Sequence, residues 1–154
     1  MLKVNFIKQV RVDIDSYYNS QDCDGWWGNC DFYLKYIRMR DSSGNSLYYE
    51  RSTGYTSDSA RAYFSVRATF SIPSDGRVYL STYVYDKDVH YDDYIDSISM
   101  TIYLDGITPG RWYYRSRSGL SISYKILSCD SDYTGSGCRT RRPSAYLLNT
   151  LSVL

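Results

Sequence analysis

Val84-Tyr85-Asp86-Lys87-Asp88-Val89-His90-Tyr91-Asp92-Asp93-Tyr94-Ile95-Asp96 is the stretch on which the fold turns. It leaves one alternating apolar run and enters another. Upstream, Val78, Leu80, Thr82 and Val84 alternate, with Tyr79, Tyr83 and Tyr85 on the opposite face. Downstream, Ile98, Met100, Ile102 and Leu104 alternate in the same way. Period-two alternation on both sides of a polar link marks two half-buried strands and the loop between them. That loop carries five carboxylates in eleven residues. Like charges this close repel one another. A hard divalent cation with oxygen ligands compensates them, and calcium accepts several Asp side chains from an irregular loop.

The alternating pattern recurs along the chain. Val4, Phe6, Val10, Val12 and Ile14 share a parity, with Lys8 the exception, which predicts a strand over 3–14. Residues 15–30 read as a loop, and 31–40 as the next strand. A turn at Asp41-Ser42-Ser43-Gly44-Asn45 precedes a short strand at Leu47-Tyr48-Tyr49, and 52–60 is a polar connection. Phe64, Val66, Ala68, Phe70 and Ile72 alternate before a turn at Pro73-Ser74-Asp75-Gly76. Trp112-Tyr113-Tyr114 reads as a strand, with Trp112 expected in the core. Leu120, Ile122, Tyr124 and Ile126 make the last strand. About eight strands punctuated by turn signals predict an all-β, antiparallel eight-stranded β-sandwich over 1–128.

Composition supports this. The chain has 154 residues, enough for one good core. Sixteen of its seventeen acids are Asp, a turn and metal-loop residue that is poor inside helices, and only Glu50 is Glu. Nineteen tyrosines favour strands. A net charge of +1 supplies no bulk field for nucleic acid, so none is expected as a partner. No run approaches transmembrane length.

Four cysteines fall in two local pairs, Cys23/Cys30 and Cys129/Cys138. An even count at close spacing points to disulfides and to an extracellular or cell-surface setting. Zinc is the weaker alternative, since neither pair is CxxC and His90 is distant in sequence. Met1 runs straight into a strand-like pattern without a signal peptide, so the chain is expected to be a fragment or to lack its true start. Residues 129–154 read as a disulfide-closed segment, a basic stretch and a short apolar tail, the stub of a further module or an artefact of sequence.

Asp86 and Asp88 alternate across one residue and can face one side of the loop, with Asp93 on its far limb. Asp22, Asp24 and Asp31 bracket the Cys23–Cys30 ring, so the two loops can converge on a cation if they share one end of the sandwich. The alternative is plain solvation of two Asp-rich loops. Asp92 and Asp96 are not needed as ligands and read as solvent or capping groups. Trp26 and Trp27 fall at the tip of the ring. They either enter a membrane interface or pack beneath the loop as a local core. Tyr91 joins them as a ligand-contact residue, and His90 reads as an exposed loop residue.

Val84-Tyr85-Asp86-Lys87-Asp88 followed by Asp93-Tyr94-Ile95 resembles the third calcium loop of C2 domains. Asp31-Phe32-Tyr33-Leu34-Lys35-Tyr36 resembles the segment after their first calcium loop, with Phe32 where that family has proline. Asp24 stands near the other loop-one Asp, and the third loop is one residue shorter than the common pattern. The resemblance implies a C2-like sandwich with Ca2+ held by Asp24, Asp31, Asp86, Asp88 and Asp93. An Asp-rich, disulfide-closed loop followed by CDFYLKY is also similar to the N-terminal domain of Notch ligands (the Delta/Jagged family). Tyr124-Lys125-Ile126-Leu127-Ser128-Cys129-Asp130, then Tyr133-Thr134-Gly135 and Cys138, resembles the entry to their DSL module, whose remaining cysteines this chain lacks. These likenesses imply a non-enzymatic, calcium-dependent domain that binds phospholipid or glycolipid headgroups or a Notch-like receptor. The second expectation is a calcium-stabilised carbohydrate-binding or adhesive module. An enzyme is disfavoured: paired carboxylates need a cleft and a neighbour that raises one pKa, and no GxSxG, HExxH or phosphate-cradling loop occurs.

Overall fold

The computed structural model describes residues 7–20, 30–55, 59–73 and 76–129, with side chains from Gln9 and without that of Pro73. Within them lie eight strands: β1 (Ile7–Tyr18), β2 (Phe32–Arg40), β3 (Ser46–Ser52), β4 (Arg61–Pro73), β5 (Arg77–Asp86), β6 (Asp93–Tyr103), β7 (Tyr113–Arg117) and β8 (Leu120–Ser128). They form two four-stranded sheets, ordered β4-β1-β8-β7 and β3-β2-β5-β6. Every pairing is antiparallel. The expected eight-stranded antiparallel sandwich is therefore the observed one.

The alternating residues explain the packing. Along β5 the outward and inward positions alternate without a break, so Val78, Leu80, Thr82 and Val84 all face the interior. Val10, Val12 and Ile14 of β1 and Ile122 and Ile126 of β8 meet them from the other sheet, joined by Leu34, Met39, Ile98 and Ile102. Apolar burial at roughly 25 cal/mol per Å² is what holds the two sheets face to face.

Among several register slips, two bear on the core and the site. The register of β1 slips between Ile14 and Ser16 against both neighbours. Asp15 is the extra residue against β8, whereas against β4 the extra residue lies on β4; the strand runs on to Tyr18, so the loop expected to begin at residue 15 begins later. Tyr17 turns inward, is 1% exposed, and meets Phe32 edge-on at 5.0 Å. The second slip lies in β2 between Lys35 and Arg38. The Thr82 hydroxyl donates to the Lys35 carbonyl there at 3.0 Å, satisfying a backbone group at the break in the ladder.

Trp112 is not in the core. It is half-buried just before β7, and its ring carries the Arg11 guanidinium at 5.0 Å and the Lys125 ammonium at 4.5 Å. Cations against an indole hold the ring at the surface without burying it. The β7–β8 turn is tight, with Ser118 at φ 49° and Gly119 at φ 87° between the paired Arg117 and Leu120. The Tyr18 amide donates to the Gly119 carbonyl at 2.9 Å, locking this turn onto the end of β1.

Candidate functional site

One end of the sandwich collects three connections. The strand β1 ends there, and the Asn19 amide donates to the Ala60 carbonyl at 2.9 Å. The Ser59 amide donates to the Cys30 carbonyl at 3.2 Å, and the Lys87 amide to the Asp31 carbonyl at 3.0 Å. The entry to β2, the segment before β4 and the β5–β6 loop are thus stitched together by backbone hydrogen bonds. The described flanks of the first acidic loop, Asn19 and Cys30–Asp31, therefore lie at the same end as the β5–β6 loop.

Asp86, the last residue of β5, is at its centre. It is 0% exposed, and its Oδ1 accepts the Asp31 amide at 2.6 Å. An inward position at the end of an alternating strand places it there. Burying a carboxylate is costly unless hydrogen bonds or cations compensate it, so this position is built for charge. Asp31 lies half-buried beside it, Asp88 follows half-buried on the loop, and Asp93 opens β6 exposed, directly across the ladder from Asp86.

Asp92 has a different task. Its Oδ1 accepts the Asp88 amide at 3.2 Å and the Lys87 ammonium at 3.3 Å, and its Oδ2 accepts the Tyr33 hydroxyl. The Tyr33 hydrogen bond, then those from Asp88 and Lys87, hold the Asp92 carboxyl below the usual range. Burial first, then Asp92, push the Tyr33 hydroxyl up. Asp92 therefore ties the loop to β2. Asp96 accepts the Ser97 amide at 2.8 Å, a local cap. Asp41 shows an acid used wholly by its own turn: it accepts the Ser43 and Asn45 amides and the Asn45 side chain, which lower its pKa.

With Asp92 pinned, the loop between Lys87 and Asp92 projects its apex into solvent. Tyr91 is 86% exposed, as suits a contact residue, and Val89 is 95% exposed. Val89 is absent from the sequence-based candidates. Its signal was an aliphatic residue between charged and polar neighbours, outside either alternating run.

Asp24, Trp26, Trp27, Cys23 and Cys138 lie outside the described residues. Cys30 and Cys129 are each disulfide-bonded. Among the described residues, no group of three or more His, Cys, Asp or Glu side chains is placed to hold a metal ion. The structure sets the Asp31 amide on Asp86, with Asp88 on the adjoining loop and Asp93 at the start of β6, and these described side chains do not form a closed cation site.

No protein-family model matches the sequence. No curated protein matches it either. Solved structures are similar in fold. A C2 domain protein from Ramazzottius varieornatus superimposes with a TM-score of 0.57 at 13% identity, covering 90% of this chain and 95% of that one. The first C2 domain of plant extended synaptotagmin 1 gives a TM-score of 0.52 at 16% identity, covering 79% and 96%. Human GIVD cytosolic phospholipase A2 gives 0.56 at 18% identity over 78% of this chain, which spans only 17% of the phospholipase. The fold of this chain is that of C2 domains.

Proposed function

We propose that this is a binding domain of a secreted or cell-surface protein, without catalysis of its own, whose acidic tip takes up Ca2+ and docks on anionic phospholipid or glycolipid headgroups. The observation that carries the proposal is Asp86, fully buried at the end of β5 with its Oδ1 on the Asp31 amide. Asp31, Asp86 and Asp88 would hold the cation, with Asp24 from the neighbouring loop and Asp93 from the start of β6. Bound calcium would supply positive charge that bridges these carboxylates to an anionic headgroup. Asp92 holds Asp88 in place, and Val89 and Tyr91 offer apolar and amphipathic surface to the interface. The similar phospholipase structure is a complex with a fluorophosphonate inhibitor and terbium chloride. Terbium is a hard, oxygen-seeking cation of the kind such carboxylates suit.

The extracellular assignment rests on the paired cysteines. The resemblance of 124–138 to the DSL entry supports a Notch-ligand-like protein and a Notch-like receptor as a further partner. Co-sedimentation with vesicles of phosphatidylserine and phosphatidylcholine tests the lipid reading. Binding in about 1 mM calcium that is lost in chelator, and lost in Asp86→Asn with Asp88→Asn, is the expected result (the concentration is on the order of extracellular module affinities). Equal binding with and without calcium would refute it.

A further inference from the structure

The β3-β2-β5-β6 sheet turns a second, chemically opposite surface to solvent. Its outer face carries a chain of tyrosine rings. Tyr36 and Tyr83 meet at 6.2 Å, Tyr83 and Tyr94 at 6.4 Å, Tyr94 and Tyr85 at 5.9 Å, and Tyr85 and Tyr33 at 5.9 Å. An open groove of about 290 Å³ runs among Tyr36, Arg38, Tyr83 and Tyr85. The bulge in β2 helps make it. Tyr36 sits at φ 52°, a left-handed conformation that a bulky residue adopts only when its surroundings impose it. Bulges of this kind re-aim side chains, often beside functional sites. Here the re-aimed ring forms one wall of the groove.

The charge of this face selects its partner. The outward row of β5 is Arg77, Tyr79, Ser81, Tyr83 and Tyr85, without an acid. Its register partners include Lys35, Arg38 and Arg40 on β2 and Ser97, Ser99 and Thr101 on β6. Lys35 rests on Tyr85 at 4.6 Å and Arg38 on Tyr49 at 5.8 Å. Among the described residues, neither cation bridges to a carboxylate. Arginine on a ring stays available for a bidentate anion.

We propose that this face is a binding site for an acidic saccharide, with the C–H faces of the sugar on Tyr36 and Tyr83 and its sulfate or carboxylate on Arg38 and Lys35. The ring hydroxyls and the serine row supply donors and acceptors for sugar hydroxyls. An open groove suits a saccharide better than a small molecule enclosed in a pocket. The edge-on packing of Tyr36 against Tyr83 and of Tyr94 against Tyr85 does not offer the series of free parallel faces that stacked nucleobases require. The contacts proposed for this site use none of the carboxylates of the tip.

The test is calorimetric titration of a sulfated glycosaminoglycan octasaccharide into the full chain, in chelator so that the tip makes no contribution. Tyr83→Ala is expected to weaken binding about tenfold and Arg38→Gln about fivefold, on the scale of single anchor residues. Tyr83→Phe, which keeps the ring, should stay within about twofold of the parent, and Tyr63→Ala, exposed on β4 of the other sheet, should bind as the parent does. Circular dichroism checks that each variant is folded. No binding by the parent, or binding indifferent to both Tyr83→Ala and Arg38→Gln, would overturn the proposal. So would equal or tighter binding of inositol trisphosphate or a single-stranded oligonucleotide.

Discussion

The tip and the outer tyrosine face sit on the same two strands, β2 and β5, yet they are built on opposite principles. At the tip, inward positions run out of core, and the last one on β5 is a buried carboxylate, Asp86. On the face, the outward positions of that same strand carry tyrosine, serine and arginine. The tip concentrates negative charge on loops, and the face spreads positive charge and aromatic surface over a rigid sheet. One alternating strand can therefore present a cation-seeking end and an anion-seeking side, because successive side chains point to opposite faces.

Removing the charge at the tip is the most severe way to break this contrast. Asp86→Asn keeps an oxygen to accept the Asp31 amide but loses the buried charge. Calcium affinity should fall about a hundredfold, equivalent to about 2.7 kcal/mol, while octasaccharide binding in chelator stays unchanged. A shared loss would mean that the two surfaces are coupled.

The frame beneath both can be broken without touching either. A Cβ on Gly119 would lie 2.1 Å from the Tyr18 carbonyl oxygen, at a φ of 87° that favours glycine. Gly119→Ala should cost about 2 kcal/mol or more in urea unfolding, by steric clash and backbone strain. A neutral result would show that the β7–β8 turn does not constrain the end of β1.

The apex of the β5–β6 loop sharpens the lipid half of the contrast. Val89→Ala with Tyr91→Ala should weaken phosphatidylserine vesicle binding about tenfold, as expected for losing two exposed side chains that bury on docking. Calcium affinity measured without vesicles should not change.

The smallest effect concerns the tie between the loop and β2. Tyr33→Phe removes the hydroxyl donated to Asp92 and should cost about 1 kcal/mol. The Asp92 carboxyl is depressed in the folded protein. Its contribution is therefore fully present above the unfolded value of about 3.9 and is lost as pH falls through the lowered folded value. In Tyr33→Phe, an NMR titration of Asp92 should move toward the ordinary range, and the acid edge of stability should move up with it.

Much of the frame was legible because its strands obey period two. Val78 to Val84 and Ile98 to Ile102 announce both their conformation and their buried face. The sequence suggested that acid-rich loops could converge, while the contact the structure shows is the Asp31 amide on Asp86, a backbone hydrogen bond that no residue pattern announces. Three further features were not legible. At the Ile14–Ser16 slip the alternation of β1 breaks, and Ser16 and Tyr17 are both buried although the preceding pattern would place Tyr17 outside. Trp112 was expected in the core, but Arg11 and Lys125 hold it at the surface. The tyrosine groove depends on the re-aimed Tyr36, and a bulge in β2 leaves no local mark in a run such as Tyr33-Leu34-Lys35-Tyr36-Ile37. Periodicity reports faces only while register is kept, and bulges are where it is lost.

The central claim is that the tip holds a cation and the face does not. Titrating CaCl2 while recording backbone amide NMR spectra tests it residue by residue. The amides of Asp31, Asp86 and Asp88 should shift and saturate by the low millimolar range, about that of extracellular calcium modules, with those of Arg38 and Tyr83 unmoved. Spectra that do not change, or shifts confined to residues away from the tip, would contradict it.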